Sequence, residues 1–178
     1  MVNYGERIDD TTVRFERLLP GPLERVWEYL TDSDKRGSWF ASGNTELEVG
    51  GKTEMRFDNA SLSTQPDIDP PEKYKDRPEK MSFGGTVTRC EPPYLLAHTW
   101  DFEEEHSEVC FELHEEGDKV RLVLTHRKLK SLDDVLSVSG GWHTHLDILE
   151  DVLENREPQA FWKMHAPLDA EYERRYRS

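Results

Sequence analysis

The sequence has few cysteines and no long apolar run, and both shortages narrow the class of protein. Its 178 residues include only two cysteines, Cys90 and Cys110, and neither belongs to a CxxC or Cys/His metal spacing. We therefore expect two free thiols in a reducing compartment. No segment approaches the ~20 consecutive apolar residues of a membrane span, and the N-terminal segment MVNYGERIDD lacks the apolar core of a signal peptide. These features predict a cytoplasmic protein.

Basic side chains and nucleotide motifs are scarce as well. The 37 acidic and 23 basic residues give a formal charge of −14, which repels phosphate backbones and anionic lipid headgroups. We therefore expect neither nucleic acid nor a membrane surface as a partner. The GxSxG elbow of hydrolases, the GxxxxGK[ST] phosphate loop and a strand-borne GxGxxG are all missing. The sequence accordingly predicts no cofactor.

The apolar residues that are present follow two successive periods near the N-terminus. Residues 11–20 alternate between apolar and polar side chains, which is typical of a half-buried strand. Its apolar face comprises Val13, Phe15 and Leu19. Residues 22–32 then place apolar side chains at i, i+3, i+4 and i+7, which predicts an amphipathic helix beginning at Pro22. Its apolar face comprises Leu23, Val26, Trp27 and Leu30.

A short helical turn and a hairpin are predicted next. Residues 33–40 allow one further turn of helix, which carries Trp39 and Phe40 at its end. Residues 45–58 read as two strands joined at Gly50-Gly51, because glycine supplies the positive φ angles of a tight hairpin. The side chains expected on the inner face of this hairpin are Leu47, Val49, Met55 and Phe57.

Four more strands are predicted between residues 83 and 126. A Glu-Pro-Pro turn divides the first pair, and the polar turn EEGD divides the second pair. In the second pair, one face of each strand is apolar apart from a single histidine. These positions are Val109, Phe111, Leu113, Val120, Leu122, Leu124 and His126.

Two segments lack a sustained period. Residues 59–81 form a long, proline-rich insertion that we expect to be disordered or to wrap the surface, with a lid over a pocket as the alternative. Residues 156–178 form a C-terminal tail carrying Phe161 and Trp162. Its last part, from Pro167, predicts a short helix whose Leu168 and Tyr172 pack back onto the body.

The segment SGGWHTHLDILE opens a long helix that we predict over residues 141–155. Helical spacing puts Trp142 and His145 on a broad apolar face. The same face carries Leu146, Leu149, Val152 and Leu153. His143 is expected on the solvent side, because residues i and i+2 of a helix do not face each other. The paired histidines therefore cannot chelate a metal as the i, i+4 pair of HExxH does.

These elements predict an α+β fold in a single domain spanning residues 1–178. The order is a strand, two short helices, further antiparallel strands and a long C-terminal helix, which gives a curved sheet of about six to seven strands. A curved sheet that grips a long helix often leaves a cavity between the two. We place the core of the domain within residues 11–155.

Several segments occur in the order seen in a known family. They are FERLLPGPLERVWEYLTD, Trp39-Phe40, GGTVTRCEPPYLLAHTW, VRLVLTH and GGWHTHLDILEDVLE. In these the chain resembles bacterial proteins similar to the activator of heat-shock-protein-90 ATPase, within the START-like superfamily, also called SRPBCC, polyketide cyclase-like or helix-grip. The resemblance implies an incomplete antiparallel sheet wrapped around the final helix, with an apolar cavity between them. Fold alone does not assign a function.

A cavity walled by aromatic rings with a few polar groups is a common small-molecule site. The alternative is that the rings simply fill the core. We predict that a small apolar or amphipathic molecule is the partner. The predicted ligand-binding residues are Trp39, Phe40, Phe57, Phe83, His98, Trp100, Phe111, His126, Trp142 and His145.

Other functions remain open at this level. One alternative is a co-chaperone-like protein that docks on the heat-shock-protein-90 chaperone, or on another protein, through its acidic surface. A second is a cyclase- or dehydratase-like enzyme in which His98, His126 and His145 act as general acid or base. The same three imidazoles could hold zinc, but no spacing requires them to converge, so we predict no metal. Either a monomer or a homodimer is compatible with the sequence.

Overall fold

One antiparallel sheet organises the structure, a computed structural model that describes residues 2–104 and 106–178. The described strands are β1 (Glu6–Asp9), β2 (Thr12–Pro20), β3 (Lys52–Asp58), β4 (Lys80–Glu91), β5 (Leu95–Trp100), β6 (Ser107–Glu116) and β7 (Lys119–Arg127). Their order across the sheet is β1-β2-β7-β6-β5-β4-β3, and neighbouring strands are antiparallel. The predicted α+β class is therefore confirmed.

Four described α-helices accompany the sheet. They are α1 (Leu23–Thr31), α2 (Ser33–Gly37), α3 (Leu132–Leu153) and α4 (Phe161–Arg177). Helix α1 buries the apolar stripe predicted from its spacing, Leu23, Val26, Trp27 and Leu30. Helix α2 follows directly because the carboxylate of Asp32 accepts a hydrogen bond from the backbone N–H of Lys35 and caps its first turn. None of the helices described is long and apolar enough to cross a bilayer.

The apolar faces predicted for the long strands are confirmed. Strands β2 and β7 pair in a register that sets Phe15 opposite Leu124, and both side chains are buried. Strand β6 pairs with β7 so that Phe111 also lies opposite Leu124. Period-two alternation therefore sends one row of each strand into the core beneath α3.

The hairpin predicted over residues 45–58 is wrong in its first half. Strand β3 is present, but residues 46–51 form no strand, and Leu47 and Val49 are 43% and 70% exposed. Residues 42–46 pair with β3 instead, through bonds such as those from the Ser42 N–H to the carbonyl oxygen of Arg56 and from the Glu54 N–H to that of Asn44. The buried guanidinium of Arg36 donates to the carbonyl oxygens of Ala41, Gly43 and Glu54 and so fixes the segment that leads into this pairing.

Helix α3 begins nine residues before the predicted start at 141. The hydroxyl of Ser131 accepts from the backbone N–H of Asp134, and the carboxylates of Asp133 and Asp134 lie in the first turn, where the helix dipole favours negative charge. Gly140 and Gly141 therefore lie inside the helix rather than at its opening. At Gly140 an added Cβ would lie 3.2 Å from Oδ1 of Asp169, so the glycine lets α4 approach closely.

Helix α4 changes the environment of the paired histidines. It begins at Phe161, before the predicted start at Pro167, continues through that proline and packs along α3. His143, expected on the solvent side, is only 1% exposed because Tyr172 of α4 and Phe15 of the sheet lie against it. The predicted exposure of His143 is therefore wrong, whereas the predicted burial of Tyr172 is confirmed.

Residues 59–80 wrap along α4, and they include two 3₁₀ turns at Asn59–Leu62 and Glu72–Tyr74. The carboxylate of Asp67 accepts from the backbone N–H groups of Trp162 and Lys163, which supplies α4 with the N-terminal cap that its own Ala160 lacks. Further along, the hydroxyl of Tyr74 donates to Asp169 at 3.0 Å. This segment therefore wraps the surface of the domain, which is one of the two main expectations for residues 59–81.

Candidate functional site

A cavity of about 190 Å³ lies between α3, the N-terminal half of α4 and the end of the sheet formed by β3, β4 and β5. It opens to solvent on one side, where the exposed or half-buried Arg77, Glu103 and Asp134 lie at its rim. Its wall is aromatic from the buried inner end to the half-buried Phe83 and Trp100 near the opening. The rings of that wall are Phe40, Phe57, Phe83, Trp100, Trp142 and Phe161.

The aromatic wall is continuous. Phe40 stacks on Trp142 with ring centroids 4.9 Å apart, and it meets Phe57 edge-on at 4.9 Å. Phe57 in turn stacks on Phe83 at 5.4 Å, and Phe83 meets Trp100 edge-on at 4.8 Å. Such pairs add about 0.5–1.5 kcal/mol each beyond the burial of their area. The wall is therefore held in shape by its own contacts.

His145 supplies the first polar group of this cavity. Its Nδ1 lies 2.8 Å from the carbonyl oxygen of Trp39, and a carbonyl can only accept, so Nδ1 carries the proton. Burial lowers the pKa of His145 to about 4, so the ring is neutral at pH 7. Its Nε2 is left with a free lone pair and no hydrogen-bond partner among the described residues.

His165 and Asn59 supply two more polar groups, which the sequence reasoning missed. His165 stacks on Phe161 at 5.3 Å, and burial lowers its pKa to about 4. Its Nδ1 and the Oδ1 of Asn59 are buried and have no hydrogen-bond partner within the described part of the chain. The spacing of Phe161, His165 and Tyr172 gives one helical face and could have identified His165, had Pro167 not suggested a later helix start.

The structure brings together six of the ten predicted ligand-binding residues. Those that line the cavity are Phe40, Phe57, Phe83, Trp100, Trp142 and His145. The other four, Trp39, His98, Phe111 and His126, form a layer behind the wall. Trp39 contributes its carbonyl to His145, and the ring of Phe111 meets that of Trp142 edge-on at 5.8 Å.

His126 holds Trp142 in place from behind. The indole N–H of Trp142 donates to Nδ1 of His126 at 2.9 Å, and the opposite nitrogen of the ring shares a hydrogen bond of 2.7 Å with the hydroxyl of Ser107. Burial lowers the pKa of His126 to about 3, which keeps Nδ1 available as an acceptor. Both ring nitrogens of His126 are thus engaged within the protein.

The proposed three-histidine cluster is not assembled. His98 bonds through Nδ1 to the carbonyl oxygen of Thr99, and only His145 of the three lines the cavity. Within residues 2–104 and 106–178, no group of three or more His, Cys, Asp or Glu side chains is placed to hold a metal ion. Burial raises the pKa of the Cys110 thiol to about 11, so this thiol is un-ionised at pH 7.

A second depression lies between the start of α1 and the β6–β7 turn. Its volume is about 450 Å³, which is larger than that of the first cavity. Charged turn residues, including Glu115, Asp118 and Lys119, make up much of its border, and none of the described residues that line it is aromatic. The aromatic cavity remains the candidate site, because it combines apolar walls with unpaired polar atoms.

Comparison with known proteins links this geometry to one family. A family model described as "Activator of Hsp90 ATPase homolog 1-like protein" matches residues 20–154. A comparison with curated proteins finds no match. His165 lies beyond the matched residues, in α4.

Solved structures resemble the chain over nearly its whole length. A protein of Bordetella parapertussis, determined in solution by NMR, is 43% identical, with a TM-score of 0.80 and with 97% of this chain and 90% of that chain covered. CalU16 of Micromonospora echinospora is 22% identical, with a TM-score of 0.68 and 98% and 96% covered. A protein of unknown function from Enterococcus faecalis is 19% identical, with a TM-score of 0.69 and 98% and 90% covered. The two more distant structures show a common fold only.

Proposed function

This chain belongs to the family of activator of Hsp90 ATPase homolog 1-like proteins, with its START-like fold, and on that premise we propose that its aromatic cavity binds a small apolar or amphipathic molecule. The observation that carries the proposal is the cavity itself, which is walled by stacked rings and open on one side. A concave, mostly apolar site with a few convergent polar groups is the usual form of a small-molecule site.

Gly141 supports a cavity that is kept open. It lines the cavity, and a Cβ built on it would meet no atom within 4 Å. A glycine inside a helix costs about 1 kcal/mol relative to alanine, although nothing in the described packing around Gly141 requires its small size. The free space over Gly141 is therefore consistent with selection for an occupant rather than for packing.

The volume indicates the size of that occupant. An apolar cavity of about 150 Å³ holds one benzene molecule, so about 190 Å³ accommodates a substituted ring, with further groups extending through the open side. Phe83, Trp100 and Phe102 line this opening and are only half-buried. A ligand that covers them gains about 25 cal/mol for each Å² of apolar surface removed from water.

Thermal unfolding of the purified chain with a panel of ligands tests this proposal. The panel comprises single-ring and fused-ring aromatics, polyketide-like aromatics, fatty acids and sterols. A ligand present at a hundred times its Kd should stabilise the folded chain by about 2.7 kcal/mol and raise its Tm. Quenching of tryptophan fluorescence should accompany binding, because Trp100 and Trp142 lie in the wall.

Gly141→Leu is the matched blocking variant. The leucine side chain projects into free space and fills part of the cavity, so ligand-induced stabilisation should disappear while the unliganded Tm stays at or above that of the unaltered chain. A panel in which no compound raises the Tm would count against the proposal. Equal stabilisation of the unaltered and Gly141→Leu chains would place binding elsewhere on the surface.

The family description favours a second candidate, which is stimulation of the ATPase of the heat-shock-protein-90 chaperone. The acidic surface, with its formal charge of −14, is the feature through which such docking would act. Adding the chain to the purified chaperone should then raise its ATPase rate, and the effect should weaken with salt. An unchanged rate at low salt would remove this candidate, whatever the ligand screen gives.

The cyclase-like alternative retains only His145 of its three proposed histidines in the cavity. This ring is neutral and already donates through Nδ1, so only its Nε2 could accept a proton from a bound molecule. Among the described lining residues, the carboxylates of Glu103 and Asp134 lie at the rim, and none in the inner wall could assist His145. The geometry thus supports binding better than turnover.

A further inference from the structure

Three unpaired polar atoms belong to residues that line the cavity. Nδ1 of His165 and Oδ1 of Asn59 are buried, and Nε2 of His145 is the third; none of them has a hydrogen-bond partner in the part of the chain that the structure describes. Buried polar atoms are almost always paired in folded proteins, because leaving one unpaired costs about 1–3 kcal/mol. Several unpaired atoms around one cavity therefore constrain the chemistry of whatever fills it.

Two of these three atoms are hydrogen-bond acceptors by their chemistry. In His145 the proton is on Nδ1, which leaves a lone pair on Nε2. Nδ1 of His165 is buried and unpaired, and a hydroxyl group can pair with it in either tautomer of the ring, by donating to a bare Nδ1 or by accepting from a protonated one. The Asn59 oxygen accepts by its nature.

The arrangement also disfavours an anionic occupant at the inner wall. Among the described lining residues, Arg77 is the one permanent cation, and it is exposed at the rim together with the acidic Glu103 and Asp134. A carboxylate deep in the cavity would face acceptors without a compensating cation, which is costly in an apolar site.

We infer that the cavity is selective for neutral aromatic molecules that carry hydroxyl donors, that is, for phenols, with the ring packed among Phe40, Trp100 and Trp142 and the hydroxyl directed at His145, His165 or Asn59. This inference rests on the proposed ligand-binding function and specifies its ligand class. A site whose buried acceptors await a donor discriminates strongly against analogues that lack it, because the acceptors then stay unpaired.

Isothermal titration calorimetry at pH 7.5 with three related probes tests the inference. The probes are a naphthol, its methyl ether and the corresponding naphthoate, which share a ring system but offer a donor, no donor and a negative charge. The naphthol should bind about ten-fold more tightly than the ether, the difference that one buried hydrogen bond gives. The naphthoate should bind more weakly than both.

Two substitutions locate the selectivity. His165→Phe keeps the stacking on Phe161 and removes one unpaired nitrogen, and Asn59→Leu removes one unpaired oxygen at similar volume. At least one of the two should lower the preference for naphthol over ether several-fold, and neither should change the affinity for the ether. His114→Phe, at an exposed position on β6, is the control and should alter neither affinity. The probe comparison on the unaltered chain holds whether or not a variant folds.

The outcomes separate this inference from the proposed function. Equal binding of naphthol and ether, or tighter binding of the naphthoate, overturns the phenol inference and leaves an apolar cavity that binds ligands. A preference for naphthol that persists undiminished in both His165→Phe and Asn59→Leu overturns the assignment to these two unpaired atoms. Failure of every aromatic probe to bind overturns both the inference and the proposed function.

Discussion

The hydroxyl of Tyr172 on α4 lies 2.7 Å from Nδ1 of His143 on α3, and it also accepts a hydrogen bond of 2.7 Å from the backbone N–H of Gly5. The carboxylate of Asp147, 3.4 Å from Nε2 of His143, favours the ring proton on Nε2, so Nδ1 accepts from the Tyr172 hydroxyl. This chain of bonds joins the N-terminal segment, α3 and α4 in the interior. It is the reason that His143 is buried as well as His145.

Tyr172→Phe should lower the free energy of unfolding by about 3 kcal/mol. The phenyl ring keeps the packing, but the Gly5 N–H and Nδ1 of His143 both lose their partner in a buried place. Urea unfolding followed by circular dichroism measures the change. Tyr94→Phe is the control, because Tyr94 is exposed and the substitution should leave the stability unaltered. Equal stability of the two variants would show that the buried hydroxyl does not join these elements.

Gly140→Ala and Gly141→Ala should act in opposite directions, although they are neighbours in one helix. At Gly141 the added methyl group meets free space, so the gain in helix propensity should raise the free energy of unfolding by about 1 kcal/mol. At Gly140 the methyl group would lie 3.2 Å from Asp169, which Tyr74 and Lys73 hold in place. Gly140→Ala should therefore gain nothing or lose stability.

The measurement for this pair is the midpoint of urea unfolding for each variant beside the unaltered chain. Gly140→Ala should unfold at lower urea than Gly141→Ala, with an unchanged dependence of free energy on urea concentration. Equal stabilisation by both substitutions would mean that α4 does not approach α3 at Gly140 as closely as the structure shows.

Gly140 and Gly141 are also an example of a feature that local sequence patterns predict wrongly. Strands β2, β6 and β7 and helix α1 follow from local apolar periods that need no knowledge of distant residues, as Phe15 and Val26 illustrate, whereas β1 is not predicted. The start of α3 does not, because two glycines are a local signal against helix that contacts with α4 override. The exposure predicted for His143 is wrong for a related reason, since the helix that covers it is α4, whose start Pro167 obscures.

Some residues of the candidate site can likewise be predicted from the sequence, and others cannot. Alternation along β5 and helical spacing in α3 place Trp100, Trp142 and His145 at the cavity without further information. His126 satisfies the same pattern but lies behind Trp142. Alternation along a strand predicts which face a side chain is on, but it does not predict how far that side chain lies from the cavity. Asn59 and His165 fall in segments with no recognised pattern, and only the packing of residues 59–80 against α4 brings them to the cavity.

Arg36→Met should lower the free energy of unfolding by about 3 kcal/mol or more. The guanidinium of Arg36 is buried and donates to the hydroxyl of Thr45 and to several backbone carbonyl oxygens, including those of Ala41 and Glu54. Methionine fills a similar volume but donates to none of them, so several buried acceptors lose their partner at once. Residues 41–45 should then exchange their amide hydrogens faster.

Hydrogen exchange measured by mass spectrometry locates that effect. Faster exchange confined to residues 41–45 and β3 is expected, with the β2, β6 and β7 amides retaining their protection. Arg14→Lys, which alters a pair with Glu6 at the exposed edge of the sheet, is the matched control and should change neither exchange nor stability. Unchanged exchange at residues 41–45 in Arg36→Met would contradict a structural role for this guanidinium.

Stability should fall as the pH drops from about 7 to about 5, and buried histidines are the reason. Burial lowers the pKa of His98, His145 and His165 to about 4, and that of His126 and His143 to about 3, from an ordinary value of 6.5. Below pH 6.5 the unfolded chain binds protons at these rings while the folded chain does not. The folded state is therefore most favoured above pH 6.5 and loses stability as the pH falls toward the folded values.

The free energy of unfolding should change steeply with pH, because five buried histidines contribute to it. Each buried histidine contributes up to about 1.4 kcal/mol per pH unit in this window, so the combined loss should be steep. Burial raises the pKa of Asp147 and Glu150, and their protonation acts in the opposite direction at pH values above the ordinary 3.8 and 4.5, but these are two groups against five histidines. Urea unfolding at pH 7.5, 6.5 and 5.5 therefore reports chiefly on the histidines. His98→Asn should reduce the slope by one histidine, whereas His114→Gln, at an exposed position, should leave it unchanged; a stability that is flat from pH 7.5 to 5.5 would show that these rings are not held neutral in the interior.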